Sequence, residues 1–196
     1  MKLLCLGNSI TRHRPKADIG WSGDWGMAAS RPENDYAHQL TNRLEQAGTS
    51  VTLLAENLAI EVNPDVFPAD ALADFLAFAP DALVIRLGEN VPDATKYDAY
   101  LSAYGRVLDA FLAAGTPHIF CVGNFWQRDD LDEKTAALAK EKGVSWVSLS
   151  AVQGEAFRAI GEFAHAGVAA HPSDKGMAAI ADCIFTAMRA AGTAAG

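Results

Sequence analysis

Ser9, Asn57, Asn90 and His171 are the residues whose types and positions could together do chemistry. Ser9 follows the apolar run Leu3-Leu4-Cys5-Leu6, in Gly7-Asn8-Ser9-Ile10-Thr11. Asn57 follows a second run, residues 50–55, and Asn90 a third, residues 81–87, in Gly88-Glu89-Asn90. His171 opens the segment His171-Pro172-Ser173-Asp174-Lys175-Gly176-Met177. A hydroxyl nucleophile, an imidazole base and N–H donors for a developing oxyanion are what acyl transfer requires. Taken singly, each residue also has a plainer role. Asn8, Ser9 and Thr11 suit a turn or a cap, and His171 could simply precede a capped helix.

The elements that must bring these residues together are legible as alternating strands and helices. Strands are expected over residues 3–6, 50–55, 81–87, 118–122 and 144–149. Helices are expected from Glu33-Asn34-Asp35 to Gly48, over 68–78, 97–114 and 130–142, and from about Pro172 to Ala191. Glycines punctuate the turns, and residues 192–196 read as a frayed tail. Residues 12–32 form a long irregular segment with Gly20-Trp21-Ser22-Gly23-Asp24-Trp25-Gly26, expected as a loop over Ser9. Such alternation predicts one domain over residues 1–196, a three-layer α/β/α sandwich with a five-stranded parallel sheet. In a doubly wound sheet the carboxyl ends of the strands share one rim, where ligands bind.

Composition bounds the possibilities. Half of the 196 residues are hydrophobic and 20% are charged, an ordinary globular balance. The net charge of -8, with no lysine or arginine cluster read in the chain, argues against nucleic acid or an anionic membrane surface as partner. No apolar run approaches the roughly 18 residues of a membrane span, and the N-terminus does not read as a secretory signal, so a cytoplasmic location is expected. Three cysteines in apolar contexts and five scattered histidines offer neither a disulfide framework nor a metal site. No cofactor is expected.

The blocks Gly7-Asn8-Ser9-Ile10-Thr11, Gly88-Glu89-Asn90-Val91 and Val168-Ala169-Ala170-His171-Pro172, in this order and on these elements, carry a family resemblance. The chain resembles an SGNH hydrolase of the GDSL esterase/lipase superfamily over nearly its whole length. The resemblance implies a flavodoxin-like fold and a serine esterase, with Ser9 as nucleophile and His171 as general base. It also implies an oxyanion hole made of the Ser9 N–H, a backbone N–H at Ala59 and the Asn90 side chain. Three positions depart from the family's pattern. Asn8 stands where the first block has aspartate, Ala59 where the second has glycine, and Val168 where an aspartate normally orients the histidine.

Without that aspartate, either a backbone carbonyl near residue 168 orients His171 as a Ser-His dyad, or a carboxylate comes from Glu89, Glu155, Glu162 or Asp174. His165 is a further neighbour for the imidazole. Asn8, Asn57, Glu89, Trp21 and Trp25 are expected to contact substrate. Glu89 could instead tie together loop amides, and Trp21, Trp25 and Trp126 could fill core rather than stack a sugar. The expected substrate is a small or carbohydrate ester with a short acyl group, acetyl on a sugar fitting the tryptophan-bearing loops. The alternatives are a carbohydrate-binding module that has lost activity, and a lipase or thioesterase for longer chains.

Overall fold

The computed structural model of the chain describes residues 1–66 and 68–194. Five strands, β1 (Lys2–Gly7), β2 (Thr52–Asn57), β3 (Ala82–Arg86), β4 (His118–Val122) and β5 (Ser145–Val147), form one sheet in the order β2-β1-β3-β4-β5. Every pairing is parallel. Parallel strands are buried on both faces, and successive side chains go to opposite faces. Leu3 and Cys5 therefore join one core layer while Leu4 and Leu6 join the other. Phe120 and Val122 are likewise separated from Ile119 and Cys121.

Helices cover both faces. On one side lie α1 (Tyr36–Gln46), through Tyr36, Leu40 and Leu44, and α6 (Asp174–Ala190), through Met177, Ile180 and Ile184. On the other side lie α3 (Tyr97–Ala113), through Tyr100, Tyr104, Leu108 and Phe111, and α4 (Asp129–Glu141), through Leu131 and Ala139. In α1, α3 and α6 these apolar residues recur every three to four positions and in α4 they stand two turns apart, which puts them on one face of each helix. Burying each large aliphatic side chain contributes about 1.5–3 kcal/mol. Asp35 caps α1 by accepting from His38 N at 2.9 Å, and Ser173 caps α6 by accepting from Gly176 N at 3.4 Å.

The sheet is the expected three-layer architecture, with local corrections. Residues 69–72 form a 3₁₀ turn, and only Ala73–Ala77 (α2) is α-helical, so the helix expected over 68–78 is short. It lacks a side-chain cap at its start, and it buries none of its own residues. Strand β5 pairs with β4 only over Ser145–Val147, because the chain then turns into a 3₁₀ segment at Ser150–Val152. The tail does not fray at once: Gly192, at φ 71°, reverses the chain after α6 and Ala194 packs into the core. A further short helix, α5 (Ala166–Ala169), lies within the segment read as irregular.

Strand β1 has β2 on one side and β3 on the other, so the winding direction reverses at its carboxyl end. That is the crevice where open α/β sheets bind ligands. Gly7 sits at its mouth. A Cβ there would lie 2.0 Å from Thr11 Oγ1 and 2.7 Å from the Arg86 carbonyl oxygen, so only glycine lets the turn close against β3.

Candidate active site

The turn after β1 is built on Asn8. Its carbonyl accepts from Thr11 N at 2.9 Å and Arg12 N at 3.1 Å, and its side-chain oxygen accepts from Ile10 N at 3.1 Å. The Ser9 side chain is thereby held at the rim, half-buried. Its hydroxyl lies 2.8 Å from Nε2 of His171. On the other side of the imidazole, Nδ1 lies 2.7 Å from the Gly167 carbonyl oxygen. A carbonyl only accepts, so Nδ1 carries the hydrogen and Nε2 presents its lone pair to the serine O–H.

Other contacts fix the ring. Trp126 meets it edge-on, with centroids 5.1 Å apart and planes at 88°, and the indole N–H donates to the Ala170 carbonyl at 2.9 Å. Trp126 thus supports the histidine. Burial pushes the His171 pKa down from 6.5 to about 4, with the charges of Arg86 and His13 acting in the same direction and the Gly167 carbonyl opposing them.

No carboxylate among those considered reaches His171. Asp174 accepts from Ser30 N and from the side chains of Ser30 and Asn34, whereas Glu155 and Glu162 are exposed. His165 caps α5, its Nδ1 accepting from Val168 N at 3.4 Å. Val168 is buried with Trp21, Met27, Ala28 and Ala159. Its neighbourhood is apolar, which is why a hydrocarbon side chain fits there.

Beneath the turn lies a buried polar network that accounts for Asn8. Its amide donates to Glu89 Oε2 at 2.7 Å and Glu61 Oε1 at 3.1 Å, while its oxygen accepts from Arg86 Nη2 at 2.9 Å. An aspartate would set a third carboxylate beside two others; asparagine supplies donors instead. Glu89 is ion-paired with Arg86, both side chains fully buried, and also accepts from Phe125 N at 3.0 Å. The expectation that Glu89 meets substrate is therefore corrected: it ties the β3 and β4 loops together. Asn8 borders the cavity, but its side chain is committed inward.

Glu61 is the residue the sequence did not single out. It is buried, and accepts from Asn8, Gly88 N, Asn90 N at 3.3 Å and Asn90 Nδ2 at 2.7 Å. Burial, with the nearby charge of Glu89, raises its pKa. Its only signal in the sequence is an acidic side chain beside the apolar stretch Leu58-Ala59-Ile60.

A cavity of about 510 Å³ opens over Ser9 and His171, bordered also by Asn57, Ala59 and Asn90. The backbone N–H groups of Ser9 and Ala59 have no hydrogen-bond acceptor among the described residues. Together with the second N–H of the Asn90 amide, they are donors left over for a bound group. Asn57 borders the cavity and donates to the Arg12 carbonyl at 3.2 Å.

Trp21 and Trp25 do not border the cavity, a second correction. They pack edge-to-face at 5.6 Å, and their indole N–H groups donate to the carbonyls of His13 and Ala29. Trp21 also lies against Phe163, so loop residues 12–32 are sealed onto the segment preceding α5. Among the described residues no group of three or more His, Cys, Asp or Glu could hold a metal ion, and no helix is long and apolar enough to cross a membrane.

No known family profile matches the sequence, and no curated protein matches it. Solved structures do match in fold. A two-domain esterase active on acetylated mannans superposes with a TM-score of 0.69 at 20% identity, covering 98% of this chain and 49% of that one. The chain thus spans about half of that esterase, which has also been crystallised with mannopentaose. A family 3 carbohydrate esterase from Clostridium thermocellum gives 0.69 at 16% identity, covering 97% of this chain and 96% of that one. A candidate lipolytic protein of the G-D-S-L family from Desulfitobacterium hafniense gives 0.62 at 14% identity, covering 95% and 98%. The chain has the fold of the SGNH/GDSL-type esterases and lipases.

Proposed function

We propose that this chain is a serine ester hydrolase acting on short acyl esters, acetyl groups on carbohydrate among them. The observation that carries the reading is the Ser9–His171–Gly167 hydrogen-bonded chain at the floor of the cavity. Ser9 Oγ attacks the acyl carbon as Nε2 of His171 takes its proton. The tetrahedral oxyanion is received by the N–H groups of Ser9 and Ala59 and by the Asn90 amide. On collapse, the proton held by His171 passes to the departing alcohol oxygen. A water molecule, deprotonated by the same nitrogen, then attacks the acyl-enzyme and frees the carboxylic acid and Ser9.

The Gly167 carbonyl takes the orienting part that a carboxylate plays in a triad. It fixes the tautomer and accepts from the imidazolium, but it brings no full negative charge. The fold likeness to carbohydrate esterases supports the choice of substrate, as does a cavity bordered mostly by polar side chains.

The test is hydrolysis of 4-nitrophenyl acetate, butyrate and octanoate, and of acetylated oligosaccharides, by wild type, Ser9→Ala and His171→Ala. Turnover of the short esters, lost in both variants, is the expected result. Equal background rates in all three proteins on every ester refute the reading, whereas rates that rise with chain length assign the site to lipids.

A further inference from the structure

The chain carries 24 acidic residues against 16 lysines and arginines, yet basic side chains gather beside its candidate active-site cleft. His13, Lys16 and His165 are among the residues that border it. The acid that borders this cavity, Glu61, is buried and engaged by four N–H donors. A second hollow of about 290 Å³ shares His13 and Asn57 with the first and adds Arg12, Arg14 and one acid, Glu56, which is paired with Arg12. Four of the five residues from 12 to 16 are therefore basic, and all four border one hollow or the other.

These side chains differ in what neutralises them. Arg12 is committed: it forms a two-pronged pair with Asp24 and a second pair with Glu56. Arg14 has no ion pair among the described residues. Lys16 reaches only Asp18, at 3.7 Å, with both groups largely exposed, a contact worth little. The backbone that carries them is tied to the tryptophan loop on either side. His13 N donates to the Trp25 carbonyl at 2.9 Å, Lys16 N to the Trp21 carbonyl at 2.7 Å, and the Trp21 indole to the His13 carbonyl at 2.9 Å. The tryptophans that miss the cavity thus hold a basic ledge beside it.

We infer that the cleft selects esters whose alcohol portion bears a carboxylate, an acetylated acidic sugar rather than a neutral one. This rests on the reading of Ser9 as nucleophile. Cations with weak or no ion pairing at the mouth of a cleft raise the local concentration of an anionic substrate and receive its carboxylate once bound. Because the ledge is exposed, the preference is sensitive to salt.

The experiment compares kcat/KM for acetylated oligogalacturonate and acetylated oligomannose of matched length, with 4-nitrophenyl acetate as the uncharged reference. The acidic sugar is expected to be favoured by about ten-fold at low salt, falling towards parity in high salt. In the double variant Arg14→Gln/Lys16→Gln the ratio between the two sugars is expected to fall to about one. Both residues are exposed, so the fold tolerates the change.

Ser9-dependent turnover of 4-nitrophenyl acetate without preference for the acidic sugar overturns the inference and leaves the esterase reading standing. Loss of turnover on all three overturns both. Titration of the Ser9→Ala protein with the unesterified oligosaccharides reads the same preference without chemistry, and equal affinity for the two sugars also overturns it.

Discussion

The depressed pKa of His171 makes a prediction that can be followed through energy, rate and stability. Burial holds this imidazole at about 4, against 6.5 for an exposed one. At about 1.4 kcal/mol per pH unit, the imidazolium is disfavoured by roughly 3 kcal/mol, a sum a nearby carboxylate would normally offset. The neutral, proton-accepting form therefore persists well below neutrality. The acid limb of kcat/KM is expected with a midpoint at about pH 4–5 rather than at the 6–7 of an unperturbed histidine.

The sign for stability follows from the same difference. Between about pH 6.5 and 4 the unfolded chain binds a proton that the folded chain does not. Stability is thus full above 6.5, declines as the pH falls towards 4 by at most about 3 kcal/mol, and from this group is flat below. Initial rates on 4-nitrophenyl acetate, followed continuously at the isosbestic wavelength of 4-nitrophenol and its anion, give the limb. The Cε1–H resonance of His171, assigned by its loss in His171→Asn, gives the titration directly. Half-maximal kcat/KM at pH 6.5 or above, with the resonance titrating there too, would refute the reasoning.

Ser9→Ala and His171→Ala should each lower kcat by about 10³-fold or more while leaving the melting temperature near that of wild type, and Ser9→Ala should abolish covalent labelling by a fluorophosphonate. Val168→Asp, which places an aspartate three residues before His171, should not raise activity. Its carboxylate enters the pocket of Trp21, Met27 and Ala28, and thermal melts should show a loss of about 3 kcal/mol. Glu89→Ala leaves the Arg86 guanidinium buried without its ion-pair partner, and should cost about 3–5 kcal/mol, read as a fall of roughly 10 °C in Tm.

Much of this architecture could be read from residue order. The alternation in Leu3-Leu4-Cys5-Leu6 and the spacing of Tyr36, Leu40 and Leu44 specify faces, and faces specify layers. The short helix at 73–77 was less legible because its apolar residues are interrupted by aspartates and its start has no capping side chain. At the site, Ser9, His171 and Asn90 follow strand ends or open a helix, where sequence patterns are strongest.

Arg86 was hidden inside an apolar strand, and Glu61 beside an apolar loop; what makes each tolerable is a partner supplied by the folded state. Trp21 and Trp25 looked like ligand-facing residues because loops with tryptophan and glycine often are. Their actual placement was decided by Phe163 and Val168, more than a hundred positions away in the chain.

The atom that steers His171 is a main-chain oxygen, and that changes how the site can vary over generations. A side-chain carboxylate can be erased by one nucleotide change, whereas no substitution at residue 167 removes its carbonyl. What can be lost is the four-residue helix that aims it. Variation would then reach the imidazole through insertions, deletions and proline around residues 165–169, and the orienting group would leave almost no trace in a comparison of residue identities.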